Sequence, residues 1–355
     1  MVTEEIELNE ALESDGRTVV ETDLGEFIVQ ISGDRPSHII APVLHWTRQD
    51  VGTLFSDELN VPYTDVPTEL NQIARSHLRR KFLNADMGIS GVNAAVASTR
   101  SIAIVTNEGN GRLTTTAPRV HVAVMGMERI VPTPGDLGVV LELLGRSATG
   151  QALTTYTNIV TGPRRAGDPD GPDELHVVIL DNGRSKVLGD NISEALACIR
   201  CGACLNICPV YRSVGGHAYG DVYSGPIGAV LSPVLFGLDG REELPYACTL
   251  CGACLEVCPV RIDLPQMLVD LRARVIESGG GFGWLDPTMT AYRTVATHPA
   301  LWRRTIDTVG LAGRTARRGW FGRLPGPGGA WTSVRDLPAP ASEPFRKWWR
   351  RHHGS

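Results

Sequence analysis

Two thirteen-residue blocks constrain this chain more than anything else in it: CIRCGACLNICPV at 198–210 and CTLCGACLEVCPV at 248–260. They match at nine positions with an offset of 50, and together they hold all eight cysteines of the 355-residue chain. A fixed offset with this degree of identity marks a duplicated binding unit. Cysteines crowded into so short a span exclude a disulfide scaffold spread over the chain. Zinc prefers two separated C-x2-C pairs or Cys/His mixtures, and four cysteines in eleven residues, twice, with Pro after each fourth, are a different pattern.

Each block reads C-x2-C-x2-C-x3-C-P, the spacing of an iron–sulfur run. Three cysteines two residues apart on a tight turn reach three irons of one cubane. Gly202 and Gly252 are expected to relieve crowding inside the turn, where a side chain would meet the cluster. The fourth cysteine follows a longer gap, is redirected by the proline, and in two-cluster proteins ligates the other cluster. The spacing therefore predicts two [4Fe–4S] clusters with crossed ligand sets: Cys198, Cys201, Cys204 and Cys258 for the first, and Cys248, Cys251, Cys254 and Cys208 for the second. Two such clusters in one small domain serve the stepwise movement of single electrons. The 39 residues between Cys208 and Cys248 are dense in Tyr and Gly. His217 among them is expected to pack beside a cluster and donate a hydrogen bond.

The whole chain has an ordinary globular composition, with 42% apolar and 21% charged residues. The longest apolar run, 227–238, is too short and too interrupted to span a membrane. The N-terminus MVTEEIELNE is acidic and lacks the pattern of a secretory signal. Together with thiolate ligands, which need reducing conditions, this leads to an expected cytoplasmic location. Strands are predicted at 26–31, 38–41, 101–106, 120–125 and 175–180, several apolar throughout as in a sheet buried on both faces. Helices are predicted at 47–59 (with a Thr47/Asp50 capping box), from Pro67 to Phe82, from Gly135 to Leu144, and at 264–277 and 299–311. The alternation argues for an α/β layered domain with a mostly parallel sheet over 1–185, followed by an α-helical two-[4Fe–4S] ferredoxin domain over 186–278. Residues 279–355, rich in Trp, Arg and Pro, read as an extended arm. From 272 onward the chain carries a charge of +9 and the rest −14. The tail is either a solvated arm or a peripheral contact for an acidic partner or anionic membrane surface.

The α/β part offers thinner candidates. Gly88–Gly91 and Glu108–Arg112 are placed at strand ends, where open α/β sheets bind ligands. Neither is a dinucleotide fingerprint or a phosphate loop. No nucleic-acid partner is expected, and no catalytic residue is assigned, since every cysteine is committed to a cluster. A competing reading makes this domain an enzyme that holds a small-molecule acid, with Arg112 or Arg119 pairing its carboxylate.

Longer strings carry a resemblance. VVETDLGEFIVQ (19–30), PSHIIAP (36–42), RKFLNADMGISG (80–91), VTNEGNGRL (105–113), VMGMERIVP (124–132), GGHAYGDVYSGPIGAVLSP (215–233), RDLPAP (335–340) and the two cysteine blocks resemble the lactate utilisation protein B family over nearly the whole chain. The resemblance implies an N-terminal LUD-type domain, similar in fold to ribose-phosphate isomerases, glucosamine-phosphate deaminases and CoA transferases. It implies that a helical region and a first strand precede MVTEEI. It implies a cysteine region like the α-helical ferredoxin domain of succinate dehydrogenase iron–sulfur subunits. It further implies an electron-transfer subunit acting with two other subunits of a lactate-utilisation complex in the oxidation of L-lactate to pyruvate. The alternative in the same class is the iron–sulfur subunit of another 2-hydroxy-acid dehydrogenase, for example one acting on glycolate.

Overall fold

The computed structural model describes residues 2–279, 285–313, 316, 318–326 and 328–354. The chain divides into two compact units, Met1–Ser278 and Gly279–Ser355. The predicted strand at 26–31 is instead the helix Leu24–Ser32. Asp23 caps it by accepting hydrogen bonds from the backbone of Gly25 and Glu26, and Leu24, Phe27, Ile28 and Ile31 fall at helical spacing. The predicted strand at 38–41 is an irregular loop, because Nδ1 of His38 takes the backbone N–H groups of Ile40 and Ala41, both at 3.2 Å. The helices Arg48–Leu59 and Pro67–Asn84 form as expected, the first with the Thr47/Asp50 capping box. Phe27, Phe55, Leu70, Ala74, Leu78 and Phe82 make their common core.

Seven strands follow: β1 (Met87–Gly91), β2 (Ala94–Val96), β3 (Ser101–Thr106), β4 (Val120–Gly126), β5 (Ile130–Val131), β6 (Tyr156–Val160) and β7 (Glu174–Leu180). One sheet runs β1–β4–β7, all parallel, with Met87 opposite Val120 and Val120 opposite Glu174. The second runs β5–β2–β3–β6; β2 and β5 are parallel, while β2–β3 and β3–β6 are antiparallel. The pairing of this unit is thus mainly parallel. Strands β3 and β4 are buried as their apolar sequences require. β7 is an edge strand, and Val177, Val178 and Ile179 are exposed. The helix Pro134–Thr149 opens with a second capping box, Thr133/Asp136.

The cysteine-bearing layer is built round the helix Gly225–Phe236, whose residues 225–233 are all buried. No helix among the described residues is long and apolar enough to cross a membrane. Close approach explains two of its glycines. A Cβ on Gly225 would lie 2.5 Å from Cγ of Leu205, and one on Gly228 would lie 2.1 Å from the Tyr223 carbonyl oxygen. A buried ion network ties this layer to the α/β layer. The fully buried guanidinium of Arg184 binds Glu5 at 2.6 and 2.9 Å and Glu128 at 2.6 Å, and the Tyr223 hydroxyl donates to Glu5. Burial opposes ionisation of Glu5, yet the hydrogen bonds from Arg184, Tyr223 and Asn182 hold its carboxyl below the usual range.

In the C-terminal unit the helix expected at 299–311 is Pro299–Gly313, and the helix Leu285–Thr297 precedes it. A short antiparallel pair, β8 (Trp320–Phe321) and β9 (Leu337–Pro338), the short helix Gly328–Trp331 between its strands, and the helix Phe345–His353 complete the described part.

Two outcomes follow from this packing. Arg184→Met leaves the Glu5 and Glu128 carboxylates buried without their cation and is expected to cost about 3–5 kcal/mol, read as a fall in the denaturation midpoint. His121 is buried on β4 against Ser90, with its Nε2 2.8 Å from the Ser90 hydroxyl, and burial lowers its pKa to about 4. The unfolded chain then binds the extra proton first as pH falls. Stability is therefore retained above about pH 6.5 and lost between there and about pH 4, by ~2–4 kcal/mol. His121→Gln should flatten that part of a stability–pH curve.

Candidate iron–sulfur centre

The two cysteine blocks fold into the same turn twice. A 3-10 turn (Ser193–Ala197 or Leu244–Tyr246) leads to Cys198 or Cys248. The residue before the second cysteine, Arg200 or Leu250, has a positive φ of 61° or 56°, and the glycine after it, Gly202 or Gly252, has φ 74° or 81°. The helices Ala203–Ile207 and Ala253–Val257 then carry Cys204 and Cys254 and pack against each other. The glycines are required by backbone conformation more than by crowding. A Cβ would meet Cε1 of His38 at 3.1 Å on Gly202 but nothing within 4 Å on Gly252. The prolines also act otherwise than expected at one position. Pro209 opens the helix Pro209–Val214, for which Cys208 is the N-cap.

Backbone amides point at the sulfurs in a repeated way. Arg200 donates to Cys198 Sγ at 3.4 Å and Leu250 to Cys248 Sγ at 3.3 Å. Tyr211 donates to Cys208 Sγ at 3.5 Å and Ile262 to Cys258 Sγ at 3.4 Å. Such donors favour the thiolate. Burial works the other way: it pushes the Cys201 thiol up, with Cys198 and Cys258 as the sulfurs that add to the shift. Cys254 is pushed up to about 11 by burial and then by Cys248, Cys208 and Cys251. The neighbours of Cys201 thus include the last cysteine of the other block, and those of Cys254 the last cysteine of the first block.

This donor set fits two cubane clusters. All eight donors are sulfur, and among the described residues no three of these sulfurs lie within 4.8 Å of one another. A single tetrahedral zinc with Zn–S bonds of ~2.3 Å would gather its thiolates to ~3.8 Å. Buried thiols with raised pKa values stay protonated unless a metal cation takes the proton's place. Cys201, Cys208 and Cys254 are buried, Cys198, Cys204, Cys248 and Cys258 are half-buried, and Cys251 is exposed.

Three arginines surround the turns. Arg129 donates to the Cys198 carbonyl and Arg272 to the Cys248 carbonyl, each at 2.9 Å, so the first cysteine of each block is held in the same manner. Arg200, nine-tenths buried, stacks 4.3 Å over the Tyr223 ring and lies 3.6 Å from Glu128. Only Arg200 had a sequence signal, its place inside the first block. His217, expected to donate its hydrogen bond beside a cluster, gives Nε2–H to the Arg35 carbonyl at 2.7 Å. His38 approaches instead, with Nε2 on the Asn206 side-chain oxygen at 3.2 Å and its ring beside Gly202.

The α/β candidates are not assembled into a site. Gly88–Gly91 is part of β1 itself, where a Cβ on Gly88 would sit 1.9 Å from the Thr114 carbonyl oxygen, so packing accounts for that glycine. Glu108–Arg112 leads into the helix Asn110–Thr116. Arg119 is engaged by Glu174 at 3.0 Å, and Arg112 is exposed.

Comparison with known proteins agrees with this arrangement. Residues 2–180 match a LUD domain, 194–262 a 4Fe–4S dicluster domain, and 286–354 the C-terminal region of lactate utilisation protein B. Lactate utilization protein B of Bacillus licheniformis is 51% identical over 98% of this chain and 74% of its own length. The Geobacillus thermodenitrificans protein of that name is 50% identical over 99% and 74%, and the Bacillus subtilis one 48% over 98% and 73%. A solved DUF162 family protein from Deinococcus radiodurans is 20% identical over 28% of this chain and 56% of its own, with a TM-score of 0.22, too slight a likeness to argue from. With its cysteine region built for two [4Fe–4S] clusters, the chain belongs to the lactate utilisation protein B family.

Proposed function

We propose that this chain is the electron-relay subunit of a lactate-utilisation complex, acting with two other subunits in the cytoplasm as L-lactate is oxidised to pyruvate. Converting a 2-hydroxy acid to a 2-oxo acid releases two electrons and two protons, and a [4Fe–4S] cluster, when bound, supplies a one-electron carrier. The chain's part is to hold two such carriers side by side. Cys198, Cys201, Cys204 and Cys258 take the first, and Cys248, Cys251, Cys254 and Cys208 the second. Support for the crossed sets comes from the sulfur neighbours: Cys258 is near Cys201, and Cys208 near Cys254. Backbone amides donate to four of the sulfurs, and Arg129 and Arg272 fix the backbone at the first ligand of each turn. Lactate as the substrate rests on the names of the relatives. Nothing in the arrangement of Arg112 and Arg119 favours acid binding by the α/β layer.

Cys198→Ser and Cys258→Ser should abolish the same paramagnetic signal in reduced protein, and Cys248→Ser and Cys208→Ser the other one. Intact protein purified without oxygen should hold about eight iron per chain, and a variant that loses one cubane about four. Damage to different clusters by Cys198→Ser and Cys258→Ser would refute the crossed assignment. A strain lacking the chain should fail to grow on lactate; failure on glycolate alone would move the substrate to a different 2-hydroxy acid.

A further inference from the structure

His217 lies in the insert between the cysteine blocks and hydrogen-bonds to the Arg35 carbonyl. It opens the short turn His217–Tyr219 and meets two residues of the α/β layer: Asp34, just after the helix Leu24–Ser32, and His45, just before the helix Arg48–Leu59. One ligand atom from each of the three lies within 4.8 Å of the other two. The imidazole rings of His45 and His217 are 4.6 Å apart at 74°. All three side chains are between 30% and 43% exposed, so the cluster is open to solvent ions.

Asp34 is held ready as an anion. Partial burial opposes ionisation, yet His45, the indole N–H of Trp46 at 3.1 Å and the Arg35 amide at 2.8 Å hold its carboxyl down at about 2. The Ser37 hydroxyl donates to the Pro42 carbonyl at 3.0 Å and therefore accepts from His45 Nδ1–H at 2.8 Å. Nε2 of His45 stands 2.7 Å from the Asp34 carboxylate. The Ser37 hydroxyl, buried and committed to Pro42, is no nucleophile, so the line Ser37–His45–Asp34 is not a hydrolytic triad.

We propose that Asp34, His45 and His217 bind a divalent transition-metal ion of the zinc type. Two imidazoles and one carboxylate suit such an ion and do not suit calcium or magnesium, which take oxygen ligands. His45 already has the outer hydrogen bond that metal-bound imidazoles make, through Nδ1 to Ser37. Nε2 of His217 lies 3.9 Å from the Asp34 carboxylate and 2.7 Å from the Arg35 carbonyl, so binding an ion would exchange that carbonyl for the metal. A cleft of about 450 Å³, lined by His45, Trp46, Asp50, Thr53, Leu54 and Asp57, opens beside the cluster. His45 is the cluster residue that lines it, and its wall carries the Asp50 and Asp57 carboxylates. A bound ion would staple the 34–45 loop to the insert of the cysteine layer.

The test uses full-length, cluster-loaded protein dialysed without oxygen against micromolar zinc chloride, with zinc and iron counted by mass spectrometry. About one zinc per chain is expected in addition to the cluster iron. His45→Ala and His217→Gln should each weaken zinc uptake ~10- to 100-fold while iron stays unchanged. In His217→Gln the amide can still donate to the Arg35 carbonyl, so this variant keeps the turn and loses only the ligand. No zinc uptake by the wild-type protein would overturn the proposal. Uptake that survives in both variants would overturn it as well, and uptake accompanied by iron loss would place the zinc on the cysteines.

Discussion

Thiols buried in an apolar layer resist losing their protons, and the cysteine region of this chain is organised round that resistance. Cys201, Cys204 and Cys254 are all pushed upward by burial. The fold answers with amides aimed at Cys198, Cys208, Cys248 and Cys258: those of the left-handed Arg200 and Leu250, of Tyr211 in the first turn of its helix, and of Ile262, which follows the left-handed Arg261. The helix Gly225–Phe236 supplies the apolar wall behind them. It carries almost no polar face, and its glycines let Leu205 and the Tyr223 backbone close onto it. A metal cation is what makes such a set of sulfurs stable as anions.

The α/β layer is joined to the cysteine turns through its loops. The Ser37 carbonyl accepts from the Tyr211 hydroxyl at 2.7 Å, and a Cβ on Gly216 would fall 1.7 Å from the same oxygen. Tyr211 in turn gives its amide to Cys208, and Arg129, just before β5, holds the Cys198 carbonyl. With the Glu5–Arg184–Glu128 network these contacts make residues Met1–Ser278 one compact unit. A change in the loop at Ser37 is therefore one hydrogen bond and one residue away from a cysteine sulfur.

Much of this was legible in the sequence where local rules suffice. Strands β3, β4 and β7 and the helix Leu264–Glu277 follow from apolar patterning, and the capping box at Thr47 from its residue types. The failures have physical causes. At 26–31 the β-branched residues concealed a helix whose cap, Asp23, lies outside the segment. At 38–41 a histidine side chain satisfies the backbone that a strand would have paired. β2 and β5, three and two residues long, carry too few positions for any period to be read. The cysteine spacing indicated the cofactor, but Arg129 reaches Cys198 from 69 residues away and Arg272 reaches Cys248 from 24, and no local pattern encodes such pairs. The Asp34, His45 and His217 cluster is equally scattered, with 171 residues between its last two members.

The duplicated turns share their backbone angles and their amide–sulfur bonds, but the second cysteine of each sits in a different medium: Cys201 is buried and Cys251 is exposed. Hydrogen bonding and solvent access both set the potential of a cluster. Among the eight cysteines Cys251 is the exposed one, so the second turn presents its middle ligand to any molecule that meets the surface, while the first keeps the equivalent ligand covered.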